Sequence, residues 1–161
     1  MTLSRFELFS PERLDEVVAL LKEKEEDTFV MAGGTDLLIK RRHQLIHPQR
    51  IVSLKKIDGL NRISFSSVKG LTIGAMALLG DVAKHRTILK TYPAIAKAAG
   101  NTANVHIRNM GTVVWNLCNA SPAADNAPAL LAMSAELNIL GPQGERVLPL
   151  EDFFLGPGAT A

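Results

Sequence analysis

A pair of glycines behind an apolar run is the first feature of this 161-residue sequence that could do chemistry. The segment Val30–Leu38 has the sequence V-M-A-G-G-T-D-L-L and is predicted to pass from a buried strand into a helix. Such a turn leaves backbone N–H groups free around a concavity, where phosphate can approach closely. The spacing matches neither standard nucleotide-binding fingerprint. A phosphate site and a plain turn capped by Thr35 or Asp36 are therefore equally compatible with it.

A second segment, Ile107–Asp125, is rich in amide side chains around a run predicted as a strand over Val113–Leu117. Ser121-Pro122 is typical of a helix N-cap followed by the first helical position, which predicts a helix over Ala123–Met133. Asp125 would then lie near the positive end of that helix. Its carboxylate either complements the helix dipole or accepts hydrogen bonds from ribose hydroxyls, as acidic residues do in dinucleotide-binding folds.

The predicted pattern of strands and helices that positions these segments changes near residue 58. Before it, the pattern alternates strands and helices, which is typical of a compact parallel α/β unit: Arg5–Phe9, a helix starting at Ser10-Pro11, Thr28–Ala32, a helix over Thr35–Arg42, and Arg50–Leu54. After it, strands are predicted over Arg62–Ser66 and Leu71–Ala75, helices over Leu78–His85 and Pro93–Asn101, and a hairpin over Leu137–Leu140 and Arg146–Leu150. Two subdomains, 1–58 and 59–161, are therefore predicted.

Composition excludes several classes of protein. Lys and Arg number 18 against 16 Asp and Glu, and a net charge of +2 is too small to predict nucleic acid or an anionic membrane as a partner. Apolar residues make up 47% and charged residues 21% of the chain, which is typical of a globular domain. The charge-free stretch Met110–Ala124 is too short and too polar to span a bilayer. A cytoplasmic location is expected.

Reactive side chains are few. The single cysteine, Cys118, excludes an internal disulfide or a cluster held by several thiolates, and we expect it to be a small buried hydrophobe rather than a nucleophile. His43 and His47 lack a third ligand and are followed by Pro48, so no metal site is expected. The last residues, Phe153–Ala161, are expected to form a loop without a closing element, as in a fragment or in a chain completed by a neighbouring polypeptide.

Several segments resemble, in the same order, the flavoprotein (medium) subunits of molybdenum hydroxylases of the xanthine dehydrogenase and carbon monoxide dehydrogenase type. They are Ala32–Leu38, Ile107–Thr112 and Asn116–Asp125, and Phe153–Gly158 resembles a later signature of that family. The resemblance implies an α+β, non-Rossmann FAD-binding fold of the PCMH/vanillyl-alcohol-oxidase type. In such a fold a small parallel α/β subdomain and a larger mixed or antiparallel sheet with helices hold FAD between them. Members of the family usually continue with a C-terminal domain, which we expect this chain to lack.

The resemblance also implies which residues contact FAD. Two backbone loops would hold the pyrophosphate, the first formed by Val30, Met31, Ala32, Gly33, Gly34, Thr35, Asp36 and Leu37. The second loop would be formed by Thr112, Val113, Val114, Trp115 and Asn116. Asp125 matches an acidic residue near the adenosine end, and Thr102 falls about where a flavin-adjacent residue lies. Val114-Trp115 stands where the family usually has Gly-Gly, so the second loop departs from the pattern.

The function that the resemblance implies is electron transfer. A molybdopterin-binding large subunit would oxidise the substrate, an iron–sulfur small subunit would relay electrons, and FAD on this chain would deliver them to NAD or another acceptor. No catalytic residue is expected on this chain. The alternative is a flavin-free assembly module, which Trp115 and the missing C-terminal part favour. A flavin oxidase acting alone lacks a candidate substrate base.

Overall fold

Three short strands early in the chain form one parallel sheet. The computed structural model describes residues 5–24 and 26–161, and it orders these strands β1-β3-β2, with β1 at Glu7–Phe9, β2 at Thr28–Met31 and β3 at Arg50–Ser53. Helices α1 (Leu14–Glu23) and α2 (Leu37–Arg42) form the connections. Both outer strands pair with Arg50 of β3, through Glu7 and Thr28. The predicted parallel α/β unit is thus confirmed.

Helix α1 begins later than the sequence predicts. Its N-cap is Arg13, not Ser10, and Pro11 is a buried residue before the helix. The carboxylate of Glu16 in the first turn accepts a hydrogen bond from the amide N–H of Glu12 at 3.1 Å, a residue before the helix, and no described side chain caps the first helical N–H groups.

The remaining chain surrounds a helical core with three separate antiparallel hairpins. The strands are β4 (Ile63–Ser66), β5 (Gly70–Ile73), β6 (Glu136–Gly141), β7 (Gly144–Pro149), β8 (Phe154–Gly156) and β9 (Ala159–Thr160). The helices are α3 (Leu79–Lys84), α4 (Arg86–Thr91), α5 (Pro93–Asn101), α6 (Val105–Arg108), α7 (Val113–Cys118), α8 (Asn126–Leu131) and α9 (Leu150–Phe153), and Leu54–Lys56 is a single 3₁₀ turn. The predicted pairs β4–β5 and β6–β7 are confirmed.

The larger sheet implied by the resemblance is not what the described residues form. The strands after residue 58 pair only two by two, and apolar side chains of each hairpin pack on the helical core. Ile63 and Ile73 of the first hairpin and Leu137 and Leu148 of the second all contact this helical core. The mixed helix and sheet content of an α+β protein is confirmed.

Hydrophobic side chains gather in two clusters that follow each other along the chain. The first is built on Val17, Val52 and Ile57, with Leu60 packed against it. The second is built on residues between 77 and 153, among them Leu79, Val82, Ile88, Ile95, Val113, Leu117, Leu130 and Leu150. The predicted division near residue 58 falls where the first cluster ends in sequence; it stays a prediction about domain organisation.

The segment predicted as a strand over Val113–Leu117 is a helix, α7. Two valines and a tryptophan favour a strand locally, but Val113 and Leu117 are four residues apart and both are only 2% exposed. The hydroxyl oxygen of Thr112 accepts from the amide of Trp115 at 3.2 Å and caps the helix. Burial of one helical face and this cap therefore outweigh local strand preference.

Helix α8 is shorter than the predicted Ala123–Met133. The hydroxyl of Ser121 accepts from the amide of Ala123 at 3.3 Å in a turn, and the helix begins only at Asn126 with Asp125 in the N-cap position. Pro128 explains the late start, because a proline lacks an N–H and is tolerated only in a first helical turn.

The end of the chain is also more regular than predicted. Phe153–Ala161 includes the hairpin β8–β9, and the amide of Ala161 donates to the carbonyl of Phe153 at 3.0 Å. The amide of Gly158 donates to the carbonyl of Ala120 at 2.9 Å, which ties the hairpin to the end of α7. The expectation of a loop without a closing element was wrong.

Candidate cofactor-binding site

The first loop singled out in the sequence makes a backbone-to-backbone contact with the residues directly before the second loop. A Cβ added at Gly33 would lie 2.7 Å from the carbonyl carbon of Met110 and 3.1 Å from the Cα of Gly111. A Cβ added at Gly111 would lie 3.6 Å from the hydroxyl oxygen of Thr35. Only glycine permits this approach. Tertiary packing therefore brings together segments nearly eighty residues apart.

The first loop presents unused hydrogen-bond donors. Among the described residues, no backbone oxygen accepts from the amide N–H groups of residues 33–36. Gly34 has a φ of +77°, a conformation that turns the chain sharply between β2 and α2. Successive free N–H groups in such a turn form a concave binding site for an anion.

The second loop presents fewer donors. The amides of Trp115 and Asn116 donate to the hydroxyl and carbonyl oxygens of Thr112, at 3.2 and 3.1 Å. The amides of Val113 and Val114 donate to no backbone oxygen of the described chain. These two N–H groups are available without the glycines that the family usually has there. The side chain of Trp115 is half-buried, and its indole N–H is buried without a partner among the described residues.

A buried network of hydrogen bonds contacts Asn116 of the second loop from the protein interior. The hydroxyl of Thr102 donates to the carbonyl of Ala98 at 2.9 Å and accepts from the side-chain NH₂ of Asn126 at 3.1 Å. The same NH₂ group donates to the side-chain oxygen of Asn116 at 3.0 Å. The structure thus connects Asn116 with Thr102, which the sequence places fourteen residues apart.

The predicted site residues have different environments. Those that are buried are Ala32, Gly33, Gly34, Leu37, Thr102, Thr112 and Val113. Those that are half-buried include Val30, Met31, Thr35, Asp36, Val114, Trp115 and Asn116. Asp125 is exposed and makes no side-chain capping bond, so its carboxylate is open to solvent. The buried members can act through their backbone or by supporting their neighbours.

Sequence reasoning missed two residues that hold the site together. Asn126 is 1% exposed and joins Thr102 to Asn116. The guanidinium of Arg108 donates to the carbonyl oxygens of Thr102 and Ala103, at 3.1 and 2.6 Å, where Ala103 has a φ of +49°. The sequence could have pointed to Asn126 only as a polar residue on the inward face of α8. That face can be assigned only once the helix is known to begin at Asn126.

A cavity of about 360 Å³ lies beside the contact between the loops. Residues from both sides of the predicted division line it: Gly33, Lys55, Ile57 and Asp58 from 1–58, and Gly59, Asn61, Met76, Leu78, Asp81, Asn109 and Met110 from 59–161. Its volume is within the range of small-molecule sites. A ligand held at the loops would therefore have a concave surface next to it.

Side chains also bridge the first and second parts of the chain. The ammonium of Lys40 on α2 donates to the side-chain oxygen of Asn119, just after α7, at 2.8 Å. The neighbouring Arg41 lies over the ring of Phe6, with its guanidinium carbon 4.6 Å from the ring centroid. Two residues of the basic run Lys40–Arg42 on α2 thus make specific contacts.

Cys118 is exposed, not buried as the sequence predicts, because it occupies the outer face of α7. Nearby protein atoms still exclude enough water to raise the pKa of its thiol. A raised pKa means less thiolate at neutral pH, so we expect alkylation by iodoacetamide to be slower than that of N-acetylcysteine at pH 7. The rate should rise with pH through a midpoint above that of the free thiol. A midpoint at or below it, measured by mass spectrometry across pH, would contradict this.

No described helix is long and apolar enough to cross a membrane. The molecule is an α+β protein in which two loops with free amides meet beside a cavity. Residues 4–161 match the family model described as the FAD binding domain in molybdopterin dehydrogenase. The chain belongs to this family.

Relatives agree with this assignment. The chain is 30% identical to the carbon monoxide dehydrogenase medium chain of Hydrogenophaga pseudoflava over 97% of its own length and 54% of the relative's. It is 32% identical to the nicotinate dehydrogenase FAD-subunit of Eubacterium barkeri, over 95% and 52% of the two lengths. The reconstituted carbon monoxide dehydrogenase of Oligotropha carboxidovorans superposes with a TM-score of 0.95 at 28% identity, over 100% of this chain and 56% of that one. The chain thus spans about half the length of the relatives it matches.

Proposed function

We propose that this chain binds FAD and serves as the flavin-carrying, electron-transfer part of a molybdopterin-dependent oxidoreductase. The observation that carries the proposal is the contact of Gly33, in the first loop, with Met110, which lies two residues before the second loop. The amides of residues 33–36 and of Val113 and Val114 donate to no backbone oxygen of the described chain. Family membership supports FAD as the occupant. Bound there, FAD would accept electrons from iron–sulfur centres and pass them to NAD or another acceptor, while the protein supplies binding and orientation.

The chain's own contribution would be to hold the cofactor's anionic centre. The free amides of residues 33–36 would donate to one side of the pyrophosphate, and those of Val113 and Val114 to the other. Asp125, whose carboxylate is exposed beside the buried network, would accept hydrogen bonds at the adenosine end. Thr102 is buried behind Asn116, so its hydroxyl would act by supporting that residue.

The expected partners are a molybdopterin-binding large subunit and an iron–sulfur small subunit, in the cytoplasm. Helix α2 and the residues after it expose large apolar side chains, since Leu38, Ile39 and Leu45 are 44%, 52% and 72% exposed. Basic residues, among them Arg42, lie between these side chains. A surface of this kind is suited to coverage by another polypeptide.

We expect the purified chain to retain a flavin absorbance spectrum after incubation with excess FAD and desalting. The free amides of both loops should hold the pyrophosphate tightly enough to survive gel filtration. A colourless protein with intact circular dichroism and a cooperative unfolding transition would contradict the proposal. Preparations with and without FAD should also be compared by thermal unfolding, since a ligand that binds only the folded state raises Tm.

The second candidate is a flavin-free assembly module, which the bulk of Trp115 at the second loop favours. Replacing Val114-Trp115 by Gly-Gly separates the two. FAD binding that appears only in the replaced chain would support the module. Binding by the unchanged chain that the replacement does not improve would support the flavoprotein, because the amides of Val113 and Val114 are already free.

A further inference from the structure

Asn126 and Thr112 are the two most deeply buried polar side chains at the candidate site. Asn126 is 1% exposed, and its side-chain oxygen is buried with no hydrogen-bond partner among the described residues. An unsatisfied buried carbonyl is costly, and an apolar residue of similar size would avoid that cost. Its presence therefore calls for a role that only the other end of the amide, the NH₂ group, can perform.

The donors and acceptors in the hydrogen bonds of Asn126 are fixed by the first bond of the series, between Thr102 and Ala98. The backbone oxygen of Ala98 can only accept, so the hydroxyl of Thr102 must donate to it. That hydroxyl is then left as an acceptor toward Asn126, which must present its NH₂ group. The same NH₂ group contacts Asn116, which must present its oxygen. The orientation of both amides is thus fixed by a carbonyl on α5.

The consequence is that Asn116 presents its NH₂ group outward. Asn116 is half-buried and its oxygen is taken by Asn126. Its NH₂ group donates to no described residue and is not among the buried polar atoms without a partner, so it keeps contact with solvent. The opposite orientation would present an oxygen, which repels an anion.

We infer that Asn126 is a positioning residue that fixes the amide of Asn116 with its NH₂ group toward the pyrophosphate of FAD. The inference rests on the proposed FAD site and adds a donor from a side chain to the amides of the two loops. Thr102 is a second positioning residue, because its hydroxyl sets the orientation of the Asn126 amide.

The first test is Asn126→Asp in the full chain, with the FAD dissociation constant measured by titration of flavin fluorescence. The change keeps the shape of the side chain but replaces its donors by acceptors, so Asn116 must turn its NH₂ group inward and its oxygen toward the pyrophosphate. We expect FAD affinity to fall about tenfold or more. In an Asn116→Ala background, the same change should alter affinity by less than about twofold. An equal loss in both backgrounds would overturn the inference, since Asn126 would then act independently of Asn116.

A second pair of variants carries the same test if the buried carboxylate prevents folding. Thr102→Val removes the hydroxyl at nearly constant volume, whereas Thr102→Ser keeps it. We expect Thr102→Val to weaken FAD binding severalfold relative to Thr102→Ser, and the two to be equal in the Asn116→Ala background. Equal affinities in the otherwise unchanged chain would overturn the inference. Failure of the proposed function itself is distinguishable, because the unchanged chain would then not bind FAD at all.

Discussion

Replacing Gly33 by alanine is expected to cost about 3 kcal/mol or more of folding stability and to abolish FAD binding. The added Cβ would meet the carbonyl group of Met110, with the carbonyl carbon 2.7 Å away. Because the obstacle is backbone rather than a flexible side chain, one of the two loops must move. Moving either loop separates the free amides that we propose hold the pyrophosphate. The measurements are chemical denaturation for stability and fluorescence titration for FAD affinity.

Two other glycines provide controls for this variant. No atom of the described chain lies within 4 Å of a Cβ added at Gly156, so Gly156→Ala should change neither folding stability nor FAD affinity. A Cβ added at Gly74 would lie 2.8 Å from the carbonyl carbon of Leu60, a clash of similar size that involves neither loop. Gly74→Ala should therefore destabilise the fold but leave the folded fraction able to bind FAD. If Gly33→Ala folds and binds FAD like the unchanged chain, the contact between the loops is not as described.

Replacing Gly34 by valine is expected to weaken FAD binding by at least about tenfold and to cost about 1–3 kcal/mol of stability. The reason differs from that for Gly33. Gly34 has a φ of +77°, which a β-branched residue adopts only under strain, and the turn would relax toward negative φ. That relaxation would redirect the amides of residues 33–36 away from a common anion.

Gly70→Val is the matched control for backbone strain. Gly70 has a φ of +70° in the hairpin β4–β5, and among the described residues an added Cβ would come within 4 Å only of the hydroxyl oxygen of Tyr92, at 3.8 Å. We expect a similar loss of stability with unchanged FAD affinity. The FAD affinity of Gly34→Asn should lie between those of Gly34→Val and Gly70→Val, since asparagine tolerates positive φ. Equal FAD affinities in Gly34→Val and Gly70→Val would remove the first loop from the proposed site.

Local sequence was enough to locate the two loops but not to describe both. The Gly-Gly turn after β2 is visible because glycines interrupt an apolar run, and the structure has the strand, turn and helix that this pattern predicts. The segment Val113–Leu117 misled because its β-branched residues favour a strand. Its helical form depends on burying Val113 and Leu117 against residues that are distant in sequence.

By itself the sequence determined the parallel α/β unit at the start of the chain, the hairpins β4–β5 and β6–β7, and, through its motifs, the family. These depend on short-range periodicity, turn residues and ordered motifs. Tertiary structure alone decided that Gly33 touches Met110 and that Asn126 joins Thr102 to Asn116. Contacts of this kind depend on packing between segments far apart in the chain. A pattern of neighbouring residues carries no information about which of them will be buried together.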